Sequence, residues 1–290
     1  MEIFTRYCME KVKGWICLDI DGTITSDPHS VPEKVIQYFA SLYDKGWRFV
    51  FITGRTFAFA NATLSKIPFP FLFSLQNGAD LLQMPSKQPI KQCYLSSSVI
   101  KKLDEIYEGR EEDYIIYSGW QAGDFCYYRP HRFSEWMTGY LELMMTLVEE
   151  PWQALHSFGP LRDKSFPLIK CLGTKEHMQE VEKYLHQIPE INVTCIKDPM
   201  SKEGYYLNLV TDKMASKGNA LTFIRTLTDP GIPFIAGGDD RNDISLLESA
   251  DIAIAMQTAP EDVLKLGDII APPASEMGII TALEEAINRI

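Results

Sequence analysis

The sequence predicts an α/β protein, a parallel-sheet core interrupted by an inserted α+β block. Three observations carry this. Continuous apolar runs alternate with amphipathic helical stretches near the N-terminus. The same rhythm resumes toward the C-terminus. Between them the order changes to helix followed by two strands, twice over. Strand–helix–strand alternation implies a parallel sheet with right-handed crossovers, and the different middle implies a separate unit.

The first strand is read in "GWICLDI" from Gly14, an apolar run suited to burial on both faces. A helix follows in "VPEKVIQYFASLYDKG", with Pro32 suited to the first helical position and Gly46 to the stop. Val35, Phe39 and Leu42 share one face of it. "WRFVFI" is the second strand, a short helix follows Arg55, and "FLFSLQ" is the third strand. In the middle the expected order is a helix (Ser97–Glu108), strands "YIIYS" and "FCYYR", and a helix (Ser134–Val148). A strand "PLIKCL", a helix (Thr174–Gln187) and strands "INVTCI" and "YYLNLV" complete it, giving a mostly antiparallel sheet. The C-terminal stretch then reads helix ("ASKGNALTFIRTL"), strand ("PFIAG"), helix ("NDISLLESA") and strand ("DIAIAM"). A helix, a short strand "DII" and a final helix around "GIITALEEAINRI" end it. "QMPSKQP" and "KDPMSKEG" are rich in turn formers and read as linkers. The expected division is a core of residues 1–82 and 204–290 with an inserted cap of residues 83–203.

The chain has 290 residues, 46% of them apolar and 23% charged, which is ordinary globular composition. Its net charge of -11 disfavours nucleic acid and anionic membrane as partners. A small anionic substrate remains open, because a metal ion or local bases reverse the sign at one site. No apolar run reaches the length of a membrane span, and "MEIFTRYCMEKVKG" lacks the apolar region of a secretory signal. Cys8, Cys17, Cys93, Cys126, Cys171 and Cys195 are scattered without a C-x-x-C pair, as in a reduced, cytoplasmic protein. The five histidines show no zinc-ligand spacing.

Asp19 and Asp21 lie two residues apart where the first strand runs out. Two bare carboxylates at about 4 Å repel by roughly 4 kcal/mol at an effective dielectric of about 20. A cation relieves this, and an all-oxygen setting suits Mg²⁺, which bridges to phosphate. Gly22 permits a sharp turn, and Thr23 adds a hydroxyl near it. A helix cap beside a surface aspartate is the plainer alternative. Thr53 and Gly54 follow the second strand, where a hydroxyl and an open backbone N–H could hold a phosphate or form a local turn. Lys217 opens a helix, where the dipole slightly disfavours a lysine unless an anion sits beside it; the alternative is a solvated surface lysine. Asp239, Asp240, Asn242 and Asp243 follow another apolar strand, as ligands or as caps supplied by Asn242 or Asp243. The carboxyl ends of parallel strands share one edge, so these distant segments converge.

Together, D-x-D-G-T at Asp19–Thr23, Thr53-Gly-Arg, Lys217 and G-D-x-x-N-D at Gly238–Asp243 resemble the haloacid dehalogenase superfamily. Their order and spacing resemble its Cof-type phosphatases, which carry a class IIB cap between the second and third motifs. "SLQNGAD" at Ser74–Asp80 resembles the segment leading into that cap. "GDDRND" is also similar in part to the G-D-D-x-T-D of trehalose-phosphate phosphatases, but Asn242 occupies the Thr place. The resemblance implies a Rossmann-like core and a Mg²⁺-dependent phosphatase of small phosphorylated metabolites, sugar phosphates foremost. It implies Asp19 as nucleophile through an aspartyl-phosphate and Asp21 as general acid and base. It implies Mg²⁺ on the Asp19 carboxylate, the Asp21 backbone carbonyl and Asp239. Thr53, Gly54, Lys217 and Asn242 would hold the phosphoryl oxygens, with Asp243 orienting Lys217 or metal-bound water. In "FCYYRPHRF", Tyr127, Arg129, His131 and Arg132 are candidate substrate contacts, or simply an exposed hairpin and its turn. A phosphosugar mutase of the same fold and a non-catalytic phospho-ligand sensor are the competing readings. The expected assembly is a monomer or homodimer.

Overall fold

All five residues of β1 (Gly14–Leu18) and all six of β2 (Trp47–Ile52) are buried. Strands covered on both faces belong in the middle of a parallel sheet. The computed structural model describes residues 12–147, 150–198, 200–201 and 204–290. Cys8, Val148 at the end of an expected helix, and Pro199, Lys202 and Glu203 of the second expected linker lie outside the described residues. The chain divides into two compact units.

The first unit takes in the chain up to Arg55, Ala60–Lys91 and Ser216–Ile290. Its sheet adds β3 (Phe71–Leu75), β4 (Asp80–Met84), β5 (Gln88–Gln92), β14 (Phe234–Gly238), β15 (Ile252–Met256) and β16 (Ile269–Ala271), in the order β16-β15-β14-β1-β2-β3-β4-β5. From β16 to β3 every neighbouring pair is parallel. The helix Glu33–Asp44 buries Val35, Ile36, Phe39 and Leu42, and Pro32 occupies its N-cap, one residue before the expected place. Register decides where the polar segments emerge. Leu18 pairs with both Phe51 and Gly237, and Ile52 pairs with Ser74. The chain therefore leaves the sheet at Asp19, Thr53, Gln76 and Asp239 along one edge.

The second unit holds Thr56–Phe59 and Gln92–Ala215. Its six strands are β7 (Tyr114–Tyr117), β8 (Cys126–Tyr128), β9 (Trp152–Ala154), β11 (Leu168–Gly173), β12 (Ile191–Lys197) and β13 (Tyr206–Asp212), in the order β12-β13-β11-β7-β8-β9. All pairs are antiparallel except β8 with β9. A two-stranded ladder, β6 (Leu95–Ser96) with β10 (Ser165–Phe166), lies apart from this sheet. The helices Ser98–Ile106 and Lys175–Leu185 bury Leu103 and Val181 in one cluster with Tyr107, Tyr114, Ile169 and Val210.

Both expected junctions shift. "QMPSKQP" is the turn region of a hairpin: β4 pairs antiparallel with β3, and β5 follows it at the sheet edge. The first unit thus runs to Lys91 rather than residue 82. At the other junction β13 is zipped between β12 and β11, so the second unit runs to Ala215 rather than residue 203. Among the described residues, no helix is long and apolar enough to cross a membrane, and Cys17, Cys126 and Cys171 are buried thiols outside any disulfide.

Candidate active site

Asp19 is the first residue beyond β1, and its backbone N–H bonds to the Gly237 carbonyl at 3.0 Å. That bond ties the end of β1 to the end of β14. The side chain of Asp19 meets Lys217, whose ammonium donates to Asp19 Oδ1 at 2.5 Å and Asp243 Oδ1 at 2.6 Å. Lys217 begins the helix Lys217–Thr226, and Ser216 caps that helix by accepting from the Asn219 N–H at 3.0 Å. The lysine is 1% exposed. Burial works against its charge, but Asp19 and Asp243 outweigh that and hold the ammonium above the ordinary lysine range. The surface-lysine alternative is excluded.

Asp243 is also buried. Its Oδ2 accepts the backbone N–H groups of Asp239 at 3.0 Å and Asp240 at 3.1 Å. Asp240 is the N-cap of the short turn Arg241–Asp243, with Asp243 as its reciprocal partner, so the cap comes from Asp240 and not from Asn242. Both Asp243 oxygens are thereby engaged, one by Lys217 and the other by backbone N–H groups.

Asp239 is set by the D-x-D-G-T turn. Thr23 Oγ1 donates to Asp239 Oδ1 at 3.1 Å. Gly22 has φ +71°, and a Cβ added there would lie 2.1 Å from Asp239 Oδ2. Glycine thus serves both the turn and the close approach of the carboxylate. Asp19, Asp239 and Asp243 each offer an oxygen within 4.8 Å of the others. Burial, opposed by Lys217 and reinforced by Asp243 and Asp21, pushes the Asp19 carboxyl up to about 7. Burial, then Asp19 and Asp243, pushes Asp239 well above the ordinary carboxylate range. With the Asp243 oxygens engaged and a single ammonium set against three carboxylates, Asp19 and Asp239 are left facing each other's charge. The donor set is all oxygen, and its residual negative charge fits a hard divalent cation such as Mg²⁺.

Thr53 is buried, and its Oγ1 accepts the Arg55 N–H at 3.1 Å, the local turn among the sequence alternatives. Its own hydroxyl proton is not used in that bond. Gly54 lies beside the Asn77 amide, and Asn242 Nδ2 donates to Asn77 Oδ1 at 3.0 Å. Asp21 lies to one side, with Arg55 Nε donating to its Oδ2 at 2.7 Å and Arg55 Nη2 to its Oδ1. Arg55 is buried and also holds the Pro28 carbonyl and the Thr63 hydroxyl, each at 2.7 Å.

The structure therefore brings Asp19, Lys217, Asp239 and Asp243 into direct association. It links Asn242 to Gly54 through Asn77 and holds Asp21 on Arg55. Three partners were not singled out from sequence: Thr23 as the support of Asp239, Arg55 as the clamp on Asp21, and Asn77. Their signal was adjacency, since each sits inside a quoted motif.

Two of the four candidate substrate contacts, Arg129 and Tyr127, are buried within the second unit. Arg129 is buried, bonded to both oxygens of Asp113 at 2.7 Å and paired with Asp104 at 2.8 Å. Its guanidinium also stacks 4.2 Å from the Phe158 ring centroid. Tyr127 is buried in the same unit's apolar cluster. Both side chains are committed to that unit's interior. Arg132 donates to the Tyr107 carbonyl at 2.8 Å, and His131 stacks on His156 at 4.9 Å.

A family model described as haloacid dehalogenase-like hydrolase matches residues 16–283. A Haemophilus influenzae protein named as a phosphatase is 24% identical over 277 residues, covering 92% of this chain and 95% of that one. A phosphoglycolate phosphatase of Methanopyrus kandleri is 22% identical over 281 residues, covering 95% and 97%. Among solved structures, a haloacid dehalogenase-like hydrolase from Bacteroides thetaiotaomicron gives a TM-score of 0.74 at 22% identity, covering 95% of this chain and 100% of that one. A subclass IIB sugar phosphatase gives 0.74 at 23% identity, covering 94% and 98%. These structures share the fold. With the model match spanning nearly all of the chain and the motif order described above, the chain belongs to the haloacid dehalogenase-like hydrolases, as a phosphatase of the Cof type.

Proposed function

We propose that the protein is a Mg²⁺-dependent phosphatase of small phosphorylated metabolites, sugar phosphates foremost, that works through an aspartyl-phosphate on Asp19. The observation that carries this reading is the buried Asp19–Lys217–Asp243 bridge beside Asp239, assembled from the ends of two strands and the start of a helix. Asp19 Oδ2 is not the oxygen held by Lys217, so it serves as the attacking atom. It forms a bond to phosphorus as the ester P–O bond breaks, and the leaving oxygen takes a proton from Asp21. Water then attacks phosphorus and gives a proton to Asp21. Inorganic phosphate leaves and the Asp19 carboxylate is restored. For this, one Asp21 oxygen must come free of Arg55. Lys217, Thr53, the Gly54 N–H and Asn242 hold the phosphoryl oxygens, and Asp243 fixes Lys217. Asp19, the Asp21 backbone carbonyl and Asp239 would hold Mg²⁺, which would offset phosphoryl charge. Positioning and charge neutralisation are what phosphoryl transfer chiefly requires.

The second unit is read as the cap that sets specificity, although Arg129 and Tyr127 are not its substrate contacts. The sugar-phosphate reading draws on the subclass IIB sugar phosphatase of like fold. The relatives named phosphoglycolate phosphatase favour a small phosphorylated acid as the second reading. A reducing, cytoplasmic setting accords with the buried thiols of Cys17, Cys126 and Cys171. A panel of sugar phosphates, phosphoglycolate and p-nitrophenyl phosphate, with inorganic phosphate as readout, is the test. Release should require Mg²⁺, stop with EDTA, and be lost in Asp19→Asn. Undiminished turnover in Asp19→Asn would overturn the nucleophile, and an isomeric sugar phosphate in place of inorganic phosphate would favour a mutase.

A further inference from the structure

Beyond β3 the chain turns through three successive left-handed residues, Gln76 (φ 47°), Asn77 (φ 57°) and Gly78 (φ 91°). Such a conformation is uncommon outside glycine and persists where surroundings enforce it. Here the Gln76 N–H bonds to the Arg55 carbonyl at 3.2 Å, and the Asn77 N–H to the Thr53 carbonyl at 2.9 Å. Gly78 packs against the start of the Lys217 helix, where an added Cβ would lie 2.3 Å from the Ser216 carbonyl oxygen. The turn is therefore held between the Thr53–Arg55 segment and the residue that caps the Lys217 helix, two parts of the candidate site.

The Asn77 side chain is 6% exposed and lies over Gly54, with Oδ1 and Nδ2 at 3.3 Å and 3.4 Å from where a Gly54 Cβ would sit. Oδ1 accepts from Asn242 at 3.0 Å, while the buried Nδ2 has no hydrogen-bond partner. A buried amide donor left unpaired is a cost that an incoming acceptor removes. The groups beside it, Gly54 and Asn242, are those proposed to hold phosphoryl oxygens, and a phosphoryl group brings acceptors to that point.

We propose that Asn77 is a further phosphoryl-binding residue: Nδ2 donates to a phosphoryl oxygen while Oδ1 orients Asn242. The inference rests on the phosphatase reading above.

Two variants test it, because both tolerate the left-handed backbone. Asn77→Gly removes the amide. Asn77→Asp keeps an acceptor for Asn242 but replaces the donor with an anion. Turnover of p-nitrophenyl phosphate with Mg²⁺, inhibition by inorganic phosphate, calorimetric phosphate binding and melting temperature are measured for each. Asn77→Gly should weaken phosphate binding and lower kcat/KM by about ten- to a hundredfold, the range of a hydrogen bond to a charged group. Asn77→Asp should lose more than Asn77→Gly while melting near the wild type. A purely structural role predicts the reverse order, since Asp preserves the bond to Asn242. An active wild type matched by Asn77→Asp would overturn this proposal alone. A wild type that neither hydrolyses the ester nor binds phosphate would overturn it together with the phosphatase reading.

Discussion

Replacing Gly22 by alanine separates backbone strain from damage to the proposed Mg²⁺ site. At φ +71° the new methyl would lie 2.1 Å from Asp239 Oδ2 and 2.6 Å from Asp239 Cγ. Real Cβ atoms keep at least 3.0 Å, so carboxylate and methyl must part by about 0.9 Å. Mg²⁺ demands near-ideal oxygen positions at roughly 2.0–2.1 Å, and a shift of that size removes Asp239 as a ligand at its present place. The left-handed conformation itself costs alanine about 1–2 kcal/mol. Gly109→Ala supplies the control, because Gly109 has φ +72° and nothing within 4 Å of an added Cβ. Both variants should melt a few degrees lower. Only Gly22→Ala should raise the Mg²⁺ concentration for half-maximal phosphate release, by about 10–100-fold, as when a ligand's support is lost. The assay is a Mg²⁺ titration of p-nitrophenyl phosphate hydrolysis beside a thermal melt. A wild-type Mg²⁺ requirement in Gly22→Ala, or an equal rise in Gly109→Ala, would refute the placement of the cation against Asp239.

Three further outcomes follow from the geometry. Thr23→Val removes the donor that holds Asp239 Oδ1 at 3.1 Å, so the Mg²⁺ requirement should rise about tenfold and Thr23→Ser should restore it. Asp113→Ala removes both 2.7 Å acceptors of buried Arg129 and should cost about 3–5 kcal/mol in urea unfolding; a loss under about 1 kcal/mol would show that Asp104 alone satisfies the guanidinium. Without metal, Asp19 is pushed up to about 7, chiefly by burial, and Asp239 is raised by burial and by Asp19. A raised carboxyl keeps its proton at higher pH, and a cation must displace it. Apparent Mg²⁺ affinity should therefore increase from about pH 6 to pH 8 with proton release on binding, and calorimetry in buffers of different ionisation enthalpy would detect its absence.

The core was legible because its signals are local. "WRFVFI" is read as the same six residues that form β2, since a run buried on both faces has no polar interruption. The β4–β5 hairpin was misread because Pro85, Ser86 and Lys87 mark a turn without saying whether it joins two units or two strands of one sheet. Pairing decides that, and pairing is nonlocal. β13 is the contrasting case: "YYLNLV" is read among the strands of the middle block, where Cys171 and Cys195 both lie opposite Asn208, and only the expected boundary at residue 203 falls short of it.

The site divides in the same physical way. Asp19, Thr53 and Asp239 could be placed together from sequence because each sits just beyond an apolar run or at its end, and the parallel register converts that position into a shared edge. Residues that act on another side chain lack such a marker. Thr23 reaches Asp239 across 216 positions, Asn77 reaches Asn242 across 165, and Arg55 reaches Asp21 across 34. No periodicity encodes these separations, so hydroxyl, amide and guanidinium read as ordinary turn chemistry until the strands align. Arg129 shows the converse error. An arginine in a polar turn resembles an anion contact, yet Asp113 beneath it makes it a buried ion pair. Proximity to a motif was informative where the supporting bond stays within one unit's strand edge, and uninformative where burial, unseen in sequence, had already consumed the charge.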